Sequence, residues 1–374
     1  MNILFPIGFL YPAENGGPAL TIYWITQEMY KRGIDFSLIS TTQYTNDKVI
    51  SNRWINTEYG KVIYLKTTRP SISLKFILFT IFNIKRFDIV VLTSIFAFSS
   101  LIFTLTCLFK NKKVILSPRG ELDEKALVYN SFMKKLVLKI YKIIPTENIV
   151  FHATSQKEKY FIQRGIPNKI NIVIIPNFIR IPELLIHNIN DNYYFLFLGR
   201  FHEKKAIENL ILALTLSKTF RDSKFKLKLA GNYQTPYGLK IQKYASELGL
   251  DKKVEFIGEQ KGPDKEILYA SAYCTVVPSH TENFCNVILE SLCQGTPVIA
   301  SNGTPWESLN ENKIGYWMSN DSETIAKYID IMISLDSNEY LKMRNEARKY
   351  AEKHFDIKVG VDEWITLFKN VLSR

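Results

Sequence analysis

Cysteine is scarce here, and its spacing excludes two common readings. The chain of 374 residues holds four cysteines, Cys107, Cys274, Cys285 and Cys293, none of them in a C-x-x-C pair. Neither a disulfide framework nor a thiol redox motif is indicated, and reduced thiols in a cytoplasmic protein are the expectation. No D-x-D triplet occurs and no His/Cys cluster has metal-ligand spacing, which points to chemistry without a metal ion. The N-terminus, MNILFPIGFLYPAENGG, lacks the basic start and long apolar run of a signal peptide and reads as a first strand. Internal repeats and low-complexity tracts are absent too. One uncharged run, 89–109, has 21 residues, enough on paper to cross a bilayer. Serines and threonines interrupt it, and IVVLTS opens it like a strand. A buried strand followed by a buried helix explains it better.

Acidic residues are sparse in the first half only. Residues 1–180 hold 24 Lys and Arg against 11 Asp and Glu, while residues 181–374 hold 24 against 25. The net charge of +12 thus belongs to the first half, whose surface suits anionic lipid, nucleic acid or a phosphorylated substrate. Nucleic acid is disfavoured because no recognised binding motif accompanies the charge. Within that half, FMKKLVLKIYKI (132–143) aligns Leu136, Ile140 and Ile143 at helical spacing beside Lys135, Lys139 and Lys142. Such a helix suits either an anionic membrane surface or a half-buried position with lysine tails in water. The charge excess tilts the expectation toward peripheral contact with the inner face of a membrane.

Hydrophobic residues make up 46% of the chain and charged residues 22%, which provides material for two globular cores. Short apolar runs alternate with helical patterns from end to end. Strands are expected at 2–6, 35–40, 61–66, 88–93, 113–117, 149–154 and 172–176, with helices at 19–31 and 124–143. A poorly periodic stretch at 181–192 reads as a linker. The pattern then restarts, with strands at 193–198, 226–230, 254–257, 274–278 and 297–300 and helices at 206–217, 241–248 and 287–293. Alternation of this kind predicts α/β architecture with parallel sheets covered on both faces. Two domains follow, 1–181 and 192–356, with a last helix at about 357–374 returning to the first. Ligands of open α/β sheets bind beyond the carboxyl ends of the strands, so the loops that follow strands carry the candidate chemistry.

The segment TVVPSHTENFCNVILESLCQGTPVIAS (275–301) runs from a buried strand through a polar loop into a helix near Asn286. A helix start offers unpaired N–H groups and a positive dipole end, which suit a diphosphate. Glu282 in the loop and Glu290 inside the helix would be repelled by phosphate, so they suit neutral hydroxyl groups of a sugar and a ribose. In GRFHEKKA, Arg200 follows a strand and Lys205 opens a helix. Cations placed there neutralise a pyrophosphate and stabilise it as it departs; Lys204 reads as a bystander. Gly16 and Gly17 lie between the first strand and the first helix, where glycine lets backbone approach a ligand closely or simply makes a turn. His152 and His280 lie at strand ends, positions compatible with a sugar contact or with a structural role. Arg119, in SPRGEL, can hold a phosphate or a hydroxyl but cannot accept a proton.

In this order, the segments resemble family 4 glycosyltransferases, retaining enzymes of the GT-B fold in which two Rossmann-like domains face each other across a cleft. The resemblance rests on the E-x7-E pair Glu282 and Glu290, on GRFHEKKAIENLILAL (199–214), LAG (229–231), SPRGEL (117–122) and ENGGPA (14–19). It implies a nucleotide-diphosphate sugar, UDP- or GDP-linked, as co-substrate with no other cofactor. A hexosyl-type sugar would pass with retention to a glycan or lipid-linked acceptor held by the N-terminal domain. Glu282 would organise the donor sugar, Glu290 the ribose, and Arg200 and Lys205 the leaving diphosphate. The backbone of Asn283, Phe284, Cys285 and Asn286 would meet sugar and phosphate, and the loop at Gly16 and Gly17 would close over the donor. Two positions depart from the family pattern: Ala206 stands where Gly is usual, and Arg119 where many relatives have His. A sugar epimerase or phosphorylase of the same fold, or a scaffold with a dead donor site, are the alternative readings.

Overall fold

A computed structural model describes residues 1–13, 17–45, 49–67, 73–127, 131–166, 170–185 and 193–373. The chain divides into two compact units, Met1–Arg180 with Asp356–Arg374, and Ile181–Phe355. Of the stretch expected to be a linker, residues 186–192 lie outside the described residues.

The sheet of the first unit contains β1 (Ile3–Pro6), β2 (Phe36–Thr41), β3 (Trp54–Thr57), β4 (Gly60–Leu65), β5 (Ile89–Thr93), β6 (Lys113–Ser117), β7 (Ile149–Ala153) and β8 (Asn171–Ile174). They run in the order β3-β4-β2-β1-β5-β6-β7-β8, parallel except where β3 pairs with β4. Helices α1 (Gly17–Lys31), α2 (Leu74–Ile84), α3 (Phe98–Phe109), α4 (Glu124–Leu127), α5 (Ser131–Ile143) and α6 (Gln156–Gly165) cover it. β1 and β7 are buried along their whole length, as strands with both faces covered must be. Alternate side chains serve opposite cores. Ile3 and Phe5 pack with α1 through Ile22 and Met29, while Leu4 and Leu92 face α2 and α3 through Phe76 and Phe103.

Two expectations for this unit need correction. The run at 89–109 does form a buried strand, but its helix, α3, buries one face only: Leu101, Phe103 and Cys107 are enclosed while Phe98, Leu105 and Phe109 are exposed. No helix among the described residues is long and apolar enough to cross a membrane. In α5 the enclosed residues are Val137 and Tyr141; of the expected stripe Ile140 packs against the core, whereas Leu136 and Ile143 are exposed. The ring of Tyr141 is the largest apolar body on the helix and is fully enclosed, its hydroxyl meeting Thr104 at 3.2 Å; burying it sets the helix rotation.

The second unit has β9 (Tyr194–Leu198), β10 (Lys226–Ala230), β11 (Val254–Gly258), β12 (Cys274–Val277), β13 (Val298–Ser301) and β14 (Gly315–Met318), all parallel, in the order β11-β10-β9-β12-β13-β14. Its helices are α7 (Ile207–Leu216), α8 (Lys218–Asp222), α9 (Pro236–Glu247), α10 (Gly262–Ser271), α11 (Asn286–Cys293), α12 (Ser308–Glu311), α13 (Ser322–Ser334) and α14 (Ser337–Phe355). Strand order reverses between β9 and β12, the switch point at which open α/β sheets form a crevice. Gly231 of the LAG segment, at φ +148, passes so close to Gly199 that a side chain would strike its carbonyl oxygen. The chain then returns to the first unit as α15 (Ile357–Leu372), which buries Trp364 and Phe368 beside Phe5 and Phe178.

Candidate active site

The loops after β9 and β12 meet at that switch point. Beyond β9, His202 accepts the Lys204 N–H at Nδ1 (3.1 Å) and starts a single 3-10 turn, Glu203–Lys205. Ala206 follows with φ 48, a left-handed conformation, and leads into α7. Beyond β12 the loop ends at Cys285, also left-handed with φ 69, and α11 starts with no side-chain cap on its first turn. Left-handed conformations cost non-glycine residues about 1–2 kcal/mol each, and two of them flank this crevice. The loops are tied together. His280 donates its N–H to the Lys204 carbonyl (2.8 Å) and Glu282 its N–H to the Gly303 carbonyl (3.0 Å). Gly303 fits because it lacks a Cβ, which would lie 2.5 Å from the carbonyl oxygens of Ser279 and His280.

The centre of the crevice is an ion pair. Lys205 Nζ lies 2.5 Å from Glu282 Oε1, with the two side chains 18% and 16% exposed. Ser279 Oγ donates to the same oxygen at 2.7 Å; among the described residues no bond falls on Oε2. Burial alone would lower the Lys205 pKa, but the adjoining Glu282 carboxylate outweighs it and raises the ammonium above its ordinary value. Lys205 therefore stays charged. Arg200 is exposed, and its positive charge works weakly against that of Lys205. Burial pushes the Cys285 thiol up, with Glu282 adding to the effect, so it is no nucleophile.

Glu290, on the second turn of α11, has both carboxylate oxygens engaged from α10. Lys265 Nζ contacts Oε1 at 2.8 Å and the Tyr269 hydroxyl donates to Oε2 at 2.9 Å. Burial first, and then Glu290, raises the Tyr269 hydroxyl well above its ordinary pKa, which keeps it a donor. Phe284 is buried against Trp306, whose Nε1 donates to the Phe284 carbonyl at 2.5 Å. The side chain of Phe284 is thus an anchor for the loop, and only its N–H remains for a ligand. His280 is exposed and meets Asn320 through Nδ1 at 2.8 Å. Lys205 and Glu282 come together near Cys285, the residue that precedes α11. Ser279, Gly303, Lys265 and Tyr269 carried no expectation. The last two stand four apart on one helix, the spacing of a shared face, which is the signal that was there to read.

In the first unit, Arg119 follows β6 at φ 55. Its Nη1 donates to Asn177 Oδ1 at 2.8 Å, whereas the buried Nε and Nη2 have no partner among the described residues. Burial lowers its pKa and Glu158 opposes this. His152 does not offer a sugar contact. Its Nδ1 pairs with Ser117 Oγ at 2.7 Å and its Nε2 with the Ile175 carbonyl at 2.8 Å, and the ring is only 1% exposed. A carbonyl only accepts, so Nε2 carries the proton and Nδ1 accepts from the serine. Burial, helped by Arg119, lowers its pKa to about 3, and the ring is a neutral strut. Gly17 opens α1, and Gly16 lies outside the described residues.

Residues 185–354, which include the whole β9–β12 crevice, match the family described as Glycosyl transferases group 1. An uncharacterized glycosyltransferase of Methanocaldococcus jannaschii is 34% identical over 147 residues, 39% of this chain and 37% of the relative. The capsular polysaccharide biosynthesis glycosyltransferase CapH of Staphylococcus aureus is 34% identical over 123 residues, 31% of this chain and 34% of the relative. The chain thus spans roughly a third to a half of the length of the curated relatives it matches. Among solved structures, Anabaena HepE in complex with UDP and glucose superposes with a TM-score of 0.76 at 16% identity, covering 99% of this chain and 100% of that one. The fold is GT-B, with two Rossmann-like sheets dominated by parallel pairing.

Proposed function

We infer that the chain transfers a hexosyl-type sugar from a nucleotide-diphosphate sugar to a glycan or lipid-linked oligosaccharide, with retention of configuration and without a metal ion. The observation that carries this reading is the Lys205–Glu282 pair, set at 2.5 Å beside the uncapped start of α11. A diphosphate entering the crevice would meet a lysine held in its charged form and the positive end of a helix dipole. Lys205 and Arg200 would stabilise the charge that develops on the departing phosphate, the site at which preorganised donors contribute most. Glu282 would turn its open Oε2 to a donor-sugar hydroxyl, while Glu290, fixed by Lys265 and Tyr269, would accept ribose hydroxyl groups. Arg119, whose buried Nε and Nη2 have no partner among the described residues, suits a phosphate or hydroxyl of the acceptor. CapH belongs to capsular polysaccharide biosynthesis, which supports a glycan acceptor, and the UDP bound by HepE supports a uridine donor.

Calorimetric titration of the full chain with UDP and with GDP tests the donor assignment. One of the two should bind, and Lys205→Ala should weaken it about tenfold or more. Absence of binding by both would remove the reading.

A further inference from the structure

Helices α2, α3 and α5 lie side by side over one face of the first unit's sheet. Their inward residues, among them Ile77, Phe103 and Val137, share one core with that sheet. If the outer faces met only water, they would be polar. They are not. On α2, Leu74, Leu78 and Phe82 stand four apart and are 68%, 52% and 72% exposed. On α3, Phe98 and Phe109 are exposed with Leu105 between them, and on α5 so are Phe132, Leu136 and Ile143. Single exposed apolar side chains are ordinary, but three adjacent helices bearing them outward make a surface that binds something.

Charge identifies the occupant. None of the three helices carries an Asp or Glu. Lys135, Lys139 and Lys142 are exposed along α5, Lys85 and Arg86 follow α2, and Lys110 follows α3. A second copy of this face would set lysine against lysine, which opposes pairing. Aromatic and aliphatic side chains edged by cations, with no anion among them, instead match the boundary between lipid headgroups and acyl chains.

We propose that α2, α3 and α5 together form a docking face for an anionic phospholipid bilayer, their apolar side chains entering the headgroup boundary and their lysines meeting lipid phosphates. This goes beyond the sugar-transfer reading and stands without it. The face is wider than the single helix at 132–143 that the sequence singles out.

Flotation of the full chain with vesicles of phosphatidylcholine, alone or with roughly 30% phosphatidylglycerol, tests it. Binding is expected to the anionic vesicles, to weaken as salt rises, and to fall at least about tenfold in Phe82→Ser/Phe109→Ser. Replacing Lys135, Lys139 and Lys142 by Ala should lower it about fivefold per lysine. These sites are exposed, so thermal unfolding of the variants should match wild type. As an independent readout, Phe82→Trp should shift its fluorescence to the blue on anionic vesicles. No binding at low salt, or binding unchanged by the substitutions, would overturn the proposal. So would a dimer in light scattering that Phe82→Ser dissociates while vesicle affinity is absent.

Discussion

Truncating Lys205 to alanine separates the site's chemistry from its contribution to the fold. The Nζ lies 2.5 Å from Glu282 Oε1 with the two side chains 18% and 16% exposed. Removing one partner of a fully buried pair costs about 3–5 kcal/mol, and an exposed pair is worth about 0–1 kcal/mol. Glu282 keeps its Ser279 hydrogen bond and some contact with water, so a stability loss of about 1–2 kcal/mol follows. Small domains have about 5–15 kcal/mol to lose, and the variant should remain folded. The catalytic loss should be larger. Removing one preorganised donor from a developing anion costs roughly 10²–10³ in rate. Initial rates at saturating donor, with urea unfolding of the same preparation, measure both quantities. A folded Lys205→Ala variant within a few-fold of wild-type rate would refute the assignment of Lys205 to the departing phosphate.

Other substitutions test the surrounding framework. Burial holds His152 neutral down to about pH 3, against an ordinary value of 6.5. Between those values the unfolded chain binds a proton that the folded chain refuses, so stability should be complete above pH 6.5 and fall as pH drops toward 3. His152→Asn, whatever its absolute stability, should show a flatter dependence from pH 6.5 to 4 in denaturant titrations; an unchanged slope would contradict this. Gly231→Ala adds a side chain at φ +148 against the Gly199 carbonyl and should cost about 2–4 kcal/mol, read from urea midpoints; a loss under about 0.5 kcal/mol would show the approach to be looser. For Ala206→Gly, relief of left-handed strain of about 1 kcal/mol opposes loss of a buried methyl worth about 0.8 kcal/mol. The net change should stay within about 1 kcal/mol, whereas Ala206→Val should lose more than about 2 kcal/mol; equal losses in the two would contradict the strain argument.

Sequence and structure agree most closely where one residue's chemistry is tied to one position in an α/β unit. Strand ends expected at 198 and 278, within a residue of those observed, a lysine five residues after the Arg200 that follows the first, and a glutamate in the loop after the second are local features, and the parallel sheet brings them together. What a partner supplies is harder to read. Glu290 looks exposed in isolation, because nothing in its own segment reveals Lys265 and Tyr269 on α10. His152 looks available at a strand end, yet Ser117 at the end of β6 and the Ile175 carbonyl, one residue past β8, take both its nitrogens. Helix α2 escaped notice because Leu74, Leu78 and Phe82 add an apolar outer stripe to an apolar inner one, which erases the 3.6-residue contrast. In α5 the lysines at 135, 139 and 142 face outward as expected, but the enclosure of Tyr141 turns the apolar face, so that Val137 and Tyr141 lead it and Leu136 and Ile143 are left outside.

A crystal structure of the full chain soaked with UDP, and with GDP in parallel, tests the central claim most directly. The account predicts one diphosphate in contact with both the Lys205 ammonium and the first-turn N–H groups of α11, with the Lys205–Glu282 distance lengthened beyond its present 2.5 Å. A diphosphate bound elsewhere on the second unit, with that pair intact, would contradict it.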